Sequence, residues 1–123
     1  MVLVHMGMTR GSPDVPAGAL DPWRQQIKTL AAMDNILAVK VSGTASVVGR
    51  EWLGAEVRPF LTHLIETFSP HRSMYASDWP ASSFAHEYGD WIDLGDEVMV
   101  GSSDEEKRSL YRDTAMRVFR LGL

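Results

Sequence analysis

Apolar and polar positions follow two rhythms along this chain. The opening run Val2-Leu3-Val4-His5 is short, β-branched and almost wholly apolar, which predicts a buried strand over 2–5. Residues 7–22 lose that rhythm and collect glycine, proline and aspartate, the chemistry of a loop; a loop of this length is commonly functional or poorly ordered. From Trp23 the spacing turns helical. Trp23, Ile27, Leu30 and Ala31 share a face, Pro22 suits a first turn and Asn35 a stop, which predicts a helix over about 22–34.

The run from Asn35 to Gly43 returns to a period of two. Leu37, Val39 and Val41 fall on one side and Ala38, Lys40 and Ser42 on the other, which predicts a second strand over 36–42. After a turn-rich gap, Val57, Phe60, Leu61, Leu64, Ile65 and Phe68 keep helical spacing over 56–68, the strongest periodic signal in the chain. Ser-Met-Tyr-Ala-Ser-Asp predicts a third strand over 73–78, and helical texture resumes over 84–99. Ser103 and Glu106 form a capping-box signature ahead of Leu110, Tyr111, Thr114, Ala115 and Val118, which predicts a last helix ending near the C-terminus. No internal repeat interrupts this order. Strands alternating with helices call for a parallel α/β sheet. Ligands of such sheets bind beyond the carboxyl ends of the strands, which singles out His5, Ser42 and Asp78.

Composition narrows the function classes. At 123 residues the chain holds one core at most, and with 45% apolar and 23% charged residues it has the makings of a globular fold. A net charge of −4, with no Lys/Arg cluster interleaved with aromatics, argues against nucleic acid as a partner. The absence of cysteine removes disulfides and thiolate metal sites and makes the cytoplasm the default compartment. No stretch approaches the ~18 apolar residues of a membrane span, and Met1–Val4 lacks a basic leader, so no membrane association is expected.

His5, just before a glycine-bearing turn, carries an imidazole that can ligate a metal or exchange a proton; packing at a core edge is the plainer alternative. Asp78 closes the third strand in Ser-Asp-Trp-Pro, where a carboxylate can serve as general base or metal ligand, or simply cap a turn. Two such residues at two strand mouths weigh more than either alone. Lys40, inside an apolar strand, must reach a carboxylate, the strand mouth or an edge, because an unpaired buried ammonium is costly. His63, His71 and His86 read as solvated positions. Gly-rich phosphate loops and Ser/His/Asp motifs are absent, so no organic cofactor is expected.

The segments Val-His-Met-Gly (4–7), Val-Lys-Val-Ser-Gly (39–43), Ser-Met-Tyr-Ala-Ser-Asp-Trp-Pro (73–80) and Thr-Ala-Met-Arg-Val-Phe-Arg-Leu (114–121) together resemble the amidohydrolase-related family. Within it the likeness is to sugar-lactone lactonases of the fuconolactonase type and, further off, to 2-pyrone-4,6-dicarboxylate lactonase. The resemblance spans nearly the whole chain and implies an α/β fold. It makes residues 1–123 a single partial domain, the sixth to eighth strands of a TIM (β/α)8 barrel. A complete barrel takes ~250 residues, so on this reading the chain opens inside a strand because the earlier strands, with the family's His-x-His motif, lie outside it.

The resemblance further implies a hydrolase that opens a lactone or related ester or amide ring. Asp78 would be the general base toward water, His5 would orient substrate or metal, and Trp79 would line the mouth with Lys40 as a further substrate-binding residue. One divalent metal such as zinc is implied where the family uses one, with His5 and Asp78 as its ligands here. Val4 stands where the family often has aspartate, and Met8-Thr9-Arg10 where it has a cationic or proline-bearing stretch; Thr114-Ala115 replaces a usual Asn-Ala. The alternative is a truncated, non-catalytic piece that acts by association with itself or a partner chain, since three parallel strands leave two sheet edges open.

Overall fold

A computed structural model of the protein describes residues 1–7, 20–43 and 54–122. Most of the expected loop, including Met8, Thr9 and Arg10, lies outside the described residues, as does the segment 44–53. Three parallel strands, β1 (Val2–Leu3), β2 (Ala38–Val41) and β3 (Ser73–Tyr75), form one sheet in the order β1-β2-β3. Val2 pairs with Ala38, Val39 with Ser73 and Val41 with Tyr75. Helix α1 (Leu20–Ala31) connects β1 to β2, and α2 (Gly54–Phe68) connects β2 to β3. Helix α3 (Tyr88–Val98) follows β3. The last helix, α4, runs as Asp104–Arg108, a π-helical Ser109–Asp113, and Thr114–Val118.

The two sides of β2 are used differently. Val39 and Val41 join one apolar cluster with Trp23 and Ile27 of α1, Leu61 and Leu64 of α2, Trp91 and Leu94 of α3 and Leu110 of α4. Ala38 and Met74 are buried as well but outside that cluster. Among the described residues the helices gather on the face of Val39 and Val41, as on a barrel wall, whereas a doubly wound sheet carries helices on both faces. On the helix side Tyr75 stacks on Trp91 at 5.4 Å, meets Tyr111 edge-on at 5.1 Å and donates its hydroxyl to the Trp91 carbonyl. Burial first, then the neighbouring Tyr111, raises the Tyr75 hydroxyl far above the ordinary tyrosine value. Gly95 admits this cluster, because a Cβ there would lie 2.7 Å from both tyrosine hydroxyls.

The elements fall where the periodicity puts them, with shorter strands. Expected strands of 2–5, 36–42 and 73–78 are observed as Val2–Leu3, Ala38–Val41 and Ser73–Tyr75. The difference at the first is a 3-10 turn, His5–Gly7, whose Met6 is fully buried and whose Met6 carbonyl accepts from the Trp23 indole at 3.1 Å. Core burial thus pulls the chain out of the ladder at His5. Helix α3 begins at Tyr88 rather than 84, because residues 79–85 form a run of turns.

At the end of the sheet where β2 and β3 begin, Arg72 donates to the carbonyls of Ala31 (3.0 Å), Ile36 (2.6 Å) and Leu37 (3.5 Å) while covering the Phe68 ring. A cation placed on the last carbonyl of α1 answers both its unmet hydrogen bond and the helix dipole, and the other two bonds hold the connection to β2. Thr114 donates to the Pro70 carbonyl at 3.1 Å and Arg117 to that of His71, which ties α4 to the same end. Among the described residues no helix is long and apolar enough to cross a membrane.

Candidate active site

The opposite end of the sheet gathers one residue from beyond each strand. Past β1, His5 takes a left-handed backbone (φ +49°). Past β2, Ser42 is buried and Gly43 follows at φ +83°. Past β3, Asp78 is left-handed again, at φ +56°. Left-handed backbone in a residue other than glycine costs of order 1–2 kcal/mol and persists where the surroundings hold it; such residues cluster at functional sites.

Gly43 lets the other two meet. A Cβ built on it would lie 2.0 Å from His5 Nδ1 and 2.6 Å from His5 Cγ, so the imidazole fills the space a side chain would take. His5 Nδ1 lies 3.9 Å from Asp78 Oδ1, beyond hydrogen-bond reach but well within Coulomb range. That nitrogen is shielded from solvent and has no hydrogen-bond partner among the described residues. The Asp78 side chain is 14% exposed and that of His5 42%, so the gap between carboxylate and imidazole is polar, open to solvent on the imidazole side and of a width that a water or substrate oxygen can bridge.

Of the sequence-derived site residues, the structure brings together His5 and Asp78, with Ser42 buried beneath the mouth. Trp79 adjoins them, 63% exposed, its N–H donating to Ser77 Oγ at 3.2 Å. Lys40 is not part of the group: its ammonium lies 5.5 Å from the Phe119 ring centroid, just past α4, at the other end of the sheet. His71 is exposed as expected and meets Ser109 Oγ at 2.9 Å. His63 and His86 depart from the solvated reading: each is half-buried against a tryptophan, His63 edge-on to Trp23 at 5.6 Å and His86 stacked on Trp91 at 5.5 Å. The sequence alone does not single out Gly43, whose signal is its place in the Ser-Gly pair closing the second strand.

The chain belongs to the amidohydrolase family: the amidohydrolase family model matches residues 1–121. It is 30% identical over 121 residues to the uncharacterized protein y4mH of Sinorhizobium fredii, covering 98% of this chain and 39% of that protein. It is 29% identical over 111 residues to an L-fucono-1,5-lactonase of Burkholderia multivorans, covering 84% of this chain and 36% of that one. Its fold superposes on the crystal structure of a Burkholderia multivorans amidohydrolase with bound zinc at a TM-score of 0.81 and 26% identity, covering 97% of this chain and 43% of that one. The chain thus spans well under half the length of each relative.

Proposed function

We propose that this chain supplies the sixth to eighth strands of a (β/α)8 hydrolase that opens a lactone, of the sugar-lactone kind or a related ester or amide ring. The observation that carries the reading is the convergence of His5 and Asp78 over Gly43, at 3.9 Å, with both backbones held left-handed. The family, and the name of the Burkholderia multivorans lactonase, support the reaction class. The outer edges of β1 and β3, which pair with no further strand among the described residues, are where the neighbouring strands of a barrel would join.

In this reading the Asp78 carboxylate takes a proton from the attacking water as its oxygen bonds to the ring carbonyl carbon. His5 orients the carbonyl, and Trp79 walls the mouth. When the ring C–O bond breaks, the proton held by Asp78 passes to the departing ring oxygen, so one water is added across the bond and the carboxylate is restored.

His5 and Asp78 are also donors of the types zinc takes, and the partnerless His5 Nδ1 fits a ligand role. A catalytic zinc takes three protein ligands; among the described residues no group of three or more such side chains gathers, so His5 and Asp78 would be part of the set. A zinc there would polarise the carbonyl or acidify the water. The test is hydrolysis of L-fucono-1,5-lactone by the protein expressed from its whole reading frame, with and without chelator. Asp78→Asn should lower turnover by about 10²–10⁴-fold, and near-normal turnover would sink the assignment.

A further inference from the structure

Ser82 lies in the run of turns after Asp78, and it is 2% exposed. Its hydroxyl donates to the Ser77 carbonyl at 3.0 Å, and its N–H donates to the Asp78 carbonyl at 2.9 Å. Those two carbonyls belong to the two peptide planes that meet at the Asp78 Cα. The torsions φ and ψ of Asp78 are the rotations of those planes about that carbon, so a residue bonded to both holds both torsions. A turn alone needs only the bond to the Asp78 carbonyl. The hydroxyl bond back to Ser77 seizes the other plane.

Ser82 is itself held. The Ala85 N–H donates to its carbonyl at 2.9 Å, and the Ser83 N–H donates to the Pro80 carbonyl at 3.1 Å, which closes the segment on itself. Such a clamp has a task, because Asp78 sits at φ +56°, a conformation that needs support in an L-residue. We infer that Ser82 is a positioning residue that fixes the backbone of Asp78 and so delivers its carboxylate to the gap beside His5. This rests on Asp78 acting as the base.

The test uses the protein expressed from its whole reading frame, L-fucono-1,5-lactone as probe, and the variants Ser82→Ala, Ser83→Ala, Asp78→Asn and the double variant S82A/D78N. Ser82→Ala should lower kcat about 10- to 100-fold with KM unchanged, Ser83→Ala should leave both unchanged, and adding Ser82→Ala to Asp78→Asn should cost nothing more. A wild-type kcat in Ser82→Ala, or an undiminished loss in the Asp78→Asn background, overturns the inference. Asp78→Asn with full activity would instead overturn the base assignment. A crystal structure of Ser82→Ala decides the positioning independently of turnover: Asp78 leaving the left-handed region supports it, and Asp78 unmoved with a single ordered carboxylate refutes it.

Discussion

Where the strands begin, Arg72 spreads one guanidinium over three carbonyls, and Thr114 and Arg117 answer two more from α4. Where the strands end, a shielded imidazole nitrogen has no hydrogen-bond partner among the described residues, and His5, Met6 and Asp78 are all left-handed. The first end is not free of unusual backbone, since Ser69 has φ +65°, but the Ser69 carbonyl accepts from both Ser73 Oγ (2.8 Å) and the Arg72 N–H (3.1 Å). Among the described residues, then, one end of the sheet has these carbonyls answered and the other holds an imidazole nitrogen without a hydrogen-bond partner. Polar groups left wanting inside a fold call for a reason, and in parallel α/β folds the carboxyl end is where substrate provides it.

That contrast breaks most visibly at Gly43. Gly43→Ala must expel the His5 ring and place alanine at φ +83°, so turnover should fall by about 10²-fold or more and stability by about 1–3 kcal/mol. Urea unfolding and lactone hydrolysis on the same sample check both, and unchanged turnover would show that His5 is not needed where it stands. At the opposite end Arg72→Ala should cost about 2–4 kcal/mol of stability with turnover per folded molecule unaltered. Lysine should rescue little, because it cannot bridge three carbonyls. A specific loss of kcat in Arg72→Ala would erase the distinction between the ends.

The smallest effect sharpens the comparison from the helix side of β3. Tyr75 ionises in the folded chain only far above its ordinary value of about 10. The unfolded chain gives up that proton earlier, so this contribution is whole below pH ~10 and declines as the pH rises past it. Urea midpoints followed from pH ~9 to ~11 should show that decline, and Tyr75→Phe should lessen it, Tyr111, raised too by burial and by Asp96, keeping the remainder. An unaltered slope in Tyr75→Phe would assign the alkaline loss elsewhere.

Local signals carried most of the fold. The spacing of Val57, Leu61, Leu64, Ile65 and Phe68 is the buried face of α2, and the capping box forms as written, with the Ser103 N–H donating to Glu106 at 2.8 Å and the Glu106 N–H to Ser103 Oγ at 3.2 Å. Strand ends were less legible, because a ladder stops where tertiary packing turns the chain aside, as the burial of Met6 does at His5. His5 and Asp78 could be singled out by residue type and position. Gly43 and Ser82 could not, since the importance of Gly43 lies in a ring from the turn after β1 that fills the space of its missing side chain, and that of Ser82 in peptide planes four and five residues back. Lys40 has the parity of a mouth residue, yet its long stem carries the charge to the far end.

The π-helical stretch Ser109–Asp113 gives the last helix one residue more than its phase requires. Ser109 and Leu110 are buried before the widened turn, and Thr114 is buried after it. Losing one residue from that stretch would restore an ordinary helix and leave what lies beyond it in nearly the same phase, since the widened turn spends one residue more on the same rotation. Thr114 and Arg117 would still face Pro70 and His71, and α4 would keep its hold on that end of the sheet. The widened turn is thus a reserve of length, which no substitution at the buried positions could imitate.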